Sequence, residues 1–499
     1  METLDDIWAD DLFGRREEAA LLEAYLDSVH SRPVLRQDVT AFTLAVEANY
    51  GEGKTFFLKR FARQLRLSHP VAFVDAWADD VADEPLTALA ATLQSALSPW
   101  IDAEPKMTEH WDRFLNRAGR VAKIAATGAL KRGVDLALGL GASAAIQSAL
   151  TDGDTGISEV TDRVVGEASK EIVDKASAEL SRQNPGAIMK QRIEKFQEGK
   201  SAIREMRESL TVVLNILSGS EVKPPIVIVI DELDRCRPTY AIKMFEEIKH
   251  LFDVKGLIFV LGTNTDQLSR AVCGAYGAGF DGGSYLRRFI QRQYHLREPD
   301  LFPLAQVLAV GLPLDDRRFF LPQIRNDTAS LGRPINVAVI ARYMASYGVS
   351  AREAFLLFDM LQTCLDLTAP ARLHAAYLLP LIIGQLKGLP AGELPIPKSR
   401  LGFDLSVAGA RGGSSIQDPA HVAERFRNLS QLSRHELSDL FNKADDPEYP
   451  EWAVFESVTN DRQQLLARTA NYPKLLRTVG RFENPSIAGE SSPTSNGEA

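Results

Sequence analysis

The feature that most constrains the fold of this 499-residue chain is a glycine-rich loop at residues 48–55. It reads Ala48-Asn49-Tyr50-Gly51-Glu52-Gly53-Lys54-Thr55. The apolar segment 42–46 precedes the loop, and the amphipathic segment 56–62 follows it. A strand, a loop and a helix in this order are the context that a phosphate-binding loop requires. The segment therefore predicts a phosphate loop.

The residue types of this loop suit a bound nucleoside triphosphate. Glycines at 51 and 53 allow the backbone to curl with its N–H groups pointing inward. We expect Lys54 to reach the β- and γ-phosphates, and Thr55 to offer its hydroxyl to Mg²⁺ at the positive end of a helix. The predicted nucleotide-binding segment is Tyr50, Gly51, Glu52, Gly53, Lys54, Thr55 and Phe56.

Ala48 departs from the usual pattern, in which a glycine stands at the first position of the loop. Alanine fits there if its backbone keeps a negative φ or accepts a mildly strained left-handed conformation. We interpret it as a tolerated variation, because the last four positions carry most of the phosphate chemistry.

A second segment supplies the carboxylates that the loop lacks. The β-branched run Ile226–Ile230 ends in Asp231-Glu232. A continuous apolar run of this kind is typical of a strand buried on both faces, as in a parallel sheet. Asp231 would hold Mg²⁺, usually through a water, and Glu232 would polarise the attacking water. The alternative is an ordinary acidic turn after a strand, which the upstream phosphate loop makes less favoured.

Length and charge limit the class of protein. A chain of 499 residues is too long for one ordinary core, so two or three domains are expected. The net charge of −9 gives no global cationic field for nucleic acid, although local basic patches are compatible with it.

The acidic N-terminus predicts no signal peptide, and three distant cysteines suit a reducing cytosol. We therefore expect a cytoplasmic protein.

Residues 100–205 read as a helical insertion between the two nucleotide motifs. The uncharged run Leu136–Leu150 is shorter than a membrane span requires, so a buried or partner-facing helix is favoured over a span. Apolar residues then recur at helical spacing from Met189 to Leu217, which predicts one long amphipathic helix. Its other face mixes both charges and is typical of a solvated surface.

Three further regions carry candidate site residues. The apolar strand Leu257–Leu261 ends in Gly262-Thr263-Asn264, where a polar side chain can help orient the water, although strand tips are also polar for ordinary reasons. The segment Tyr285–Tyr294 predicts a helix with three arginines, of which Arg288, or else Arg287, is a candidate arginine finger. The alternative for that helix is a basic, solvated surface.

The chain beyond residue 301 predicts an all-α region. Two short helices are expected between residues 335 and 357, the second with Ser350 as N-cap and Glu353 closing a capping box. Arg352, in the first turn of that helix, is either a lid arginine that reaches the nucleotide or an ordinary surface residue. We expect a lid domain at 301–390, a C-terminal helical domain at 391–483 with a loop-rich stretch at 400–420, and a disordered tail at 484–499.

Several motifs together resemble those of the KAP family of phosphate-loop NTPases, which is related to the STAND and AAA+ ATPases. The resemblance covers roughly residues 10–300, and the Asp-x-x-Asp-Arg pattern is its most specific element. It is carried by residues 50–55, Phe73-Val74-Asp75-Ala76-Trp77, Ile230-Asp231-Glu232-Leu233-Asp234-Arg235-Cys236, Glu246-Glu247-Ile248-Lys249 and Tyr285-Leu286-Arg287-Arg288-Phe289-Ile290-Gln291.

The resemblance implies a three-layer αβα parallel sheet at residues 1–300, with ATP and Mg²⁺ as ligands. It adds Asp234 to the site, and it places Phe13-Gly14-Arg15 where related ATPases seat adenine. Family members often carry membrane helices between the two nucleotide motifs. For prokaryotes it implies plasmid or phage exclusion, and the ATPase component of Qat-type anti-phage systems is similar in size class.

The leading hypothesis is an ATP-hydrolysing switch that works as a homo-oligomer with partner proteins encoded nearby. ATP is favoured over GTP because the chain lacks a guanine-reading N-K-x-D string. One alternative is an interaction scaffold that binds nucleotide with little turnover. Another is a motor stimulated by nucleic acid, which the acidic net charge disfavours.

Overall fold

The computed structural model describes residues 2–31, 41–82, 84–126, 185–219, 224–277, 279–315, 317–325, 335–410, 412–459 and 465–481. The run Leu136–Leu150 and the tail 484–499 lie outside them. The chain divides into two compact units. The first contains Met1–Ala9, Arg15–Asn49 and Lys54–Leu296, and the second contains Asp10–Gly14, Tyr50–Gly53 and Arg297–Ala499.

The first unit is built on a five-stranded parallel sheet with strand order β2-β3-β4-β1-β5. Every residue of β3 and β4 is buried, as the apolar runs predict. The strands are β1 (Phe42–Glu47), β2 (Val71–Asp75), β3 (Ile226–Asp231), β4 (Leu257–Thr263) and β5 (Arg292–His295).

Helices cover both faces of this sheet. Along β3, Ile226, Ile228 and Ile230 pack into one apolar cluster, whereas Val227 and Val229 pack into another. This alternation follows from the strand period of two, and it confirms the predicted three-layer αβα fold. The helices are α1 (Leu4–Ile7), α2 (Arg15–Ser31), α3 (Lys54–Leu65), α4 (Ala76–Asp79), α5 (Pro85–Ile101), α6 (Pro105–Ala126), α7 (Pro185–Leu217), α8 (Pro238–His250), α9 (Thr265–Tyr276) and α10 (Gly282–Leu286).

The long amphipathic helix is confirmed as α7, which packs against α6. Its C-terminal half buries Met206, Leu210 and Val213 in the core, whereas Met189 and Phe196 near its N-terminal end are exposed. Only part of the apolar stripe therefore contributes to the core. Among the helices of the described residues, none combines the length and apolar character that crossing a bilayer requires.

The predicted helix at Tyr285–Tyr294 is wrong beyond its first residues. Helix α10 ends at Leu286, and β5 begins at Arg292 and pairs in parallel with β1. Sequence patterning missed this strand because β5 lies at the edge of the sheet and its residues are largely exposed, so it lacks the apolar signature of a central strand.

The second unit has one large apolar cluster that runs from Leu301 to Val479. The capping box at the start of α13 is present as predicted. The helices are α11 (Phe302–Leu308), α12 (Ile335–Ser346), α13 (Ala351–Leu367), α14 (Ala375–Leu386), α15 (Pro419–Leu429), α16 (Arg434–Lys443), α17 (Tyr449–Thr459) and α18 (Tyr472–Val479), with 3₁₀ turns at Leu465–Ala467 and Thr469–Asn471.

This unit is mainly helical, but it also contains two small sheets, so the all-α prediction is incomplete. The stretch 400–420, expected to be loop-rich, contains an antiparallel hairpin. In the sequence, the glycine-rich turn of this hairpin indicated a loop, and the alternating pattern of Asp404–Ala408 was too short to indicate a strand. The strands are β6 (Phe319–Phe320), β7 (Gln323–Arg325), β8 (Leu373–His374), β9 (Asp404–Ala408) and β10 (Ser414–Gln417), in the orders β6-β8 and β10-β9-β7.

Candidate nucleotide site

The carboxyl ends of the parallel strands bring polar side chains to one edge of the sheet. Glu47, the last residue of β1, lies beside Thr263 of β4, and Asp75 of β2 lies beside Asp231 of β3. This edge is where ligands bind in open parallel α/β sheets. Helix α3 begins at Lys54, directly after the glycine-rich loop, as the sequence predicts.

The loop has the backbone conformation that its glycines were expected to provide. The φ angles of Gly51 and Gly53 are 82° and 84°, in the left-handed region that favours glycine. Ala48 is not among the described residues with a positive φ, so it keeps a negative φ and needs no strained conformation. Alanine in place of the first glycine is therefore compatible with this loop.

Lys54 and Thr55 are the first two residues of α3, at the positive end of that helix. The Lys54 ammonium lies 3.6 Å from Oδ2 of Asp234, which is almost fully buried and accepts no hydrogen bond. At this separation the two groups form an ion pair without a tight hydrogen bond. Lys54 therefore keeps donors available for another anion near Asp234.

Asp231 is a buried carboxylate with a free oxygen. Its Oδ1 accepts the Glu232 backbone N–H at 2.9 Å, whereas its buried Oδ2 accepts no hydrogen bond. Burial raises the pKa of Asp231, against the opposing influence of the Thr55 hydroxyl, the Glu232 N–H and the Lys54 charge. A buried carboxylate oxygen without a partner in the protein needs a cation or a hydrogen-bond donor, so Oδ2 of Asp231 is a candidate cation ligand.

Mg²⁺ fits this donor set. The hydroxyl of Thr55 and the carboxylate of Asp231 are hard oxygen donors, and Mg²⁺ in nucleotide sites commonly uses one or two protein oxygens together with phosphates and waters. Within the described residues there is no group of three or more His, Cys, Asp or Glu side chains that would hold a metal by themselves. The site therefore suits a metal ion that takes its remaining ligands from a bound phosphate and from waters.

Glu232 has the only positive φ among the described residues other than glycine, with φ 59° and ψ 26°. A left-handed conformation at such a residue costs about 1 kcal/mol or more and is found preferentially at functional sites. Its carboxylate Oε1 lies 2.8 Å from Nη1 of Arg235, three residues along the 3₁₀ turn Leu233–Arg235. The predicted base is therefore ion-paired in this structure.

Glu47 is a candidate site residue that the sequence analysis missed. Its Oε2 accepts the Thr265 N–H at 3.0 Å, and its buried Oε1 accepts no hydrogen bond. Burial raises its pKa, while the Thr265 N–H, His295 and Lys54 act in the opposite direction. An acidic residue at the end of an otherwise apolar strand, directly before the loop, was the signal that could have identified it.

The two candidates at the tip of β4 differ in their environment. The Thr263 side chain is buried, and its hydroxyl has no hydrogen-bond partner. Asn264 is the N-cap of α9, where its side-chain oxygen accepts the Gln267 N–H at 3.1 Å. The free hydroxyl makes Thr263 the stronger candidate for orienting a water, and the role of Asn264 stays a prediction.

The predicted arginines lie in three different settings. Arg15 is 1% exposed and forms a 2.5 Å ion pair with Glu18, which is also bonded to Tyr294 at 3.0 Å. This ion pair accounts for the burial of Arg15 in the core of the first unit. A role of Arg15 in binding adenine stays a prediction. Arg287 and Arg288 are exposed, as an arginine finger requires, and their role as a finger stays a prediction.

Arg352 lies in the second unit, in the first turn of α13. Its backbone N–H lies 3.3 Å from the carbonyl oxygen of Gly51, which belongs to the same unit. A Cβ added at Gly51 would lie 3.0 Å from Cβ of Arg352 and 3.1 Å from Oγ of Ser350. Gly51 is therefore required both for its φ and for this close approach.

The family model of the KAP family P-loop domain matches residues 15–313. The chain belongs to the KAP family. The match contains both nucleotide motifs, and it accords with the parallel sheet and the loop at its carboxyl edge.

Comparison with solved structures finds similarity to the ORC2 protein of Aeropyrum pernix, described in complexes with ADPNP and ADP. The identity is 14%, the TM-score is 0.29, and the similarity covers 93% of this chain and 86% of that one. No curated protein matches the chain. Family membership therefore rests on the KAP domain match.

Proposed function

We propose that this KAP protein binds and hydrolyses ATP and uses the nucleotide as a switch within a homo-oligomer. The observation that carries the proposal is the buried Oδ2 of Asp231, which accepts no hydrogen bond although Lys54 and Thr55 stand at the adjoining helix terminus. A buried, unpartnered carboxylate costs free energy unless a ligand completes it.

In this proposal each residue has one task. Lys54 and the loop N–H groups bind the phosphates, and Thr55 and Asp231 would hold Mg²⁺, which when bound offsets the negative charge of the triphosphate. Glu232 polarises the attacking water, and Thr263 orients it. Glu47 fixes the start of α9 through the Thr265 N–H and so positions the tip of β4.

Two substitutions test the proposal. Lys54→Ala is expected to weaken Mg²⁺·ATP binding at least about tenfold, because a charged hydrogen-bond donor to phosphate is lost. Glu232→Gln is expected to bind ATP as the wild type does and to retain it unhydrolysed. Equilibrium binding of a fluorescent ATP analogue and phosphate release from the purified protein measure the two effects separately.

Arg113→Ala is the matched control, since Arg113 forms an exposed i,i+4 pair with Glu109 on α6 and is not a candidate site residue. It should behave as the wild type in both assays. Steady turnover by Glu232→Gln would remove Glu232 as the base. Binding without turnover by the wild type, even with candidate partners added, would instead favour a nucleotide-binding scaffold.

For the biological role, membership of the KAP family is the only support. We propose a role in anti-phage defence or plasmid exclusion together with partner proteins encoded nearby, as in a Qat-type system. A pull-down with the Glu232→Gln protein in ATP and in ADP tests this idea. Recovery of a companion nuclease or nucleoside-modifying enzyme only with ATP is expected, and equal recovery in both nucleotides would argue against a switch.

A further inference from the structure

The side chain that contacts the predicted base is Arg235, the last residue of the Asp-x-x-Asp-Arg pattern. Its Nη1 lies 2.8 Å from Oε1 of Glu232. Glu232 is the N-cap of the 3₁₀ turn Leu233–Arg235 and Arg235 is the last residue of that turn, so the turn brings the two side chains close together. One of the two carboxylate oxygens is therefore occupied by a guanidinium.

Arg235 also contacts an exposed aromatic ring. Its guanidinium carbon lies 5.7 Å from the ring centroid of Trp77, within the range of a cation–π interaction. Trp77 belongs to α4, directly after β2, and is 54% exposed. A tryptophan with that exposure is not needed to fill the core, and its contact connects Arg235 to the surface.

The pair is only partly shielded from solvent. The Arg235 side chain is 31% exposed and that of Glu232 is 14% exposed, so the guanidinium can leave without exposing an apolar core. Ion pairs with this degree of exposure are weak. A weak pair can open and close readily, whereas the left-handed backbone of Glu232 keeps the carboxylate at the strand tip.

We propose that Arg235 is a positioning residue that masks Glu232 in the resting protein, and that Trp77 holds Arg235 in the masking position. A general base needs an available lone pair directed at the water, and the guanidinium occupies one of those of Glu232. Release of Arg235 from Glu232 would then activate hydrolysis. The inference rests on the proposed ATPase function, because masking matters only if Glu232 is the base.

The test compares kcat and KM for ATP hydrolysis in the wild type, Arg235→Ala, Arg235→Lys and Trp77→Ala. Arg235→Ala is expected to raise kcat roughly fivefold with KM unchanged, as loss of a partly exposed ion pair would give. Trp77→Ala should raise kcat less, because the ion pair remains. Arg235→Lys should stay near the wild type, since lysine retains a charge that can pair with Glu232.

A double variant shows whether the effect passes through the base. Arg235→Ala combined with Glu232→Gln should be as inactive as Glu232→Gln alone. Arg113→Ala again serves as the control for loss of an exposed arginine. An unchanged or lower kcat in Arg235→Ala, in a protein that still binds ATP with wild-type affinity, would overturn the masking role.

Failure of the proposed function gives a different result. If the wild type binds no ATP, or if Glu232→Gln turns over as fast as the wild type, the ATPase assignment of Glu232 fails and the inference fails with it. If the wild type hydrolyses ATP and Glu232→Gln does not, the function stands, and kcat of Arg235→Ala alone decides the inference.

Discussion

At the scale of single residues, Gly262 decides how closely β4 approaches the predicted metal ligand. A Cβ at this position would lie 2.1 Å from Cδ1 of Leu58 and 2.6 Å from Oδ1 of Asp231. Its φ is not in the left-handed region, so the requirement for glycine is one of space and not of backbone conformation.

Gly262→Ala is therefore expected to destabilise the protein by about 1–3 kcal/mol and to weaken Mg²⁺·ATP binding, because Asp231 or Leu58 must move. Urea unfolding and nucleotide binding measure the two effects. Gly274→Ala in α9 is the matched control, since an added Cβ there meets nothing within 4 Å. That control should be neutral or more stable, as alanine favours helix over glycine. Equal stability of the two variants would contradict the packing argument.

The buried carboxyl group of Glu247 makes stability depend on pH. Burial raises the pKa of Glu247 in α8 to about 8 from an ordinary value of 4.5. Because the folded state keeps the proton that the unfolded state loses, the contribution of Glu247 to stability is complete below about pH 4.5 and declines as pH rises toward 8.

Glu247→Gln should remove this decline, so its advantage over the wild type should grow between pH 5 and pH 8 by about 2 kcal/mol. Denaturant unfolding at the two pH values measures the difference. Glu208→Gln, at an exposed position of α7, is the control and should leave the pH dependence unchanged. A parallel shift of the Glu247→Gln curve at all pH values would show that the carboxyl group does not titrate in this range.

At the scale of elements, the capping box of α13 was predictable and edge strand β5 was not. The box uses Ser350 and Glu353, and Lys387 bonds both oxygens of Glu353 at 2.9 Å. Capping depends on residue types at fixed spacing, which a sequence displays directly. Pairing of β5 with β1 depends on a partner 248 residues away, which local patterning does not reveal.

Ser350→Ala is expected to cost the second unit about 1 kcal/mol, because the Glu353 N–H loses its acceptor. Ser433→Ala removes the equivalent cap of α16, whose Glu436 is exposed. The Ser433 variant should lose less, since Ser350 also packs close to Gly51. Thermal unfolding of both variants measures the costs, and a larger loss at Ser433 would contradict this ranking.

At the scale of the whole molecule, the exposed arginines after α10 bear on assembly. Arg287 and Arg288 are exposed beyond the end of α10, and Arg287 donates to Ser284 Oγ at 2.5 Å. An arginine finger that acts in trans reaches the nucleotide of a neighbouring subunit, so loss of such a finger should affect hydrolysis only where subunits associate.

We expect Arg288→Ala to leave ATP binding nearly unchanged and to lower phosphate release at least tenfold at concentrations where the protein is oligomeric. Light scattering with ATP establishes that state. Arg287→Ala is the comparison. It should have the smaller effect on phosphate release, because the Arg287 side chain is hydrogen-bonded to Ser284. Equal loss of binding and hydrolysis in Arg288→Ala would exclude the finger.

Several elements can be predicted from residues that lie close together in the chain. The phosphate loop, the buried strands β3 and β4, the amphipathic helix α7 and the cap at Ser350 all follow from residue types at short spacing. The tertiary structure alone decided which distant groups meet. It gave Asp231 and Gly262 their close approach, buried Glu47 beside Thr263, and brought the hydroxyl of Tyr294 to Glu18. These contacts depend on strand order, register and burial, which arise only when the sheet is assembled.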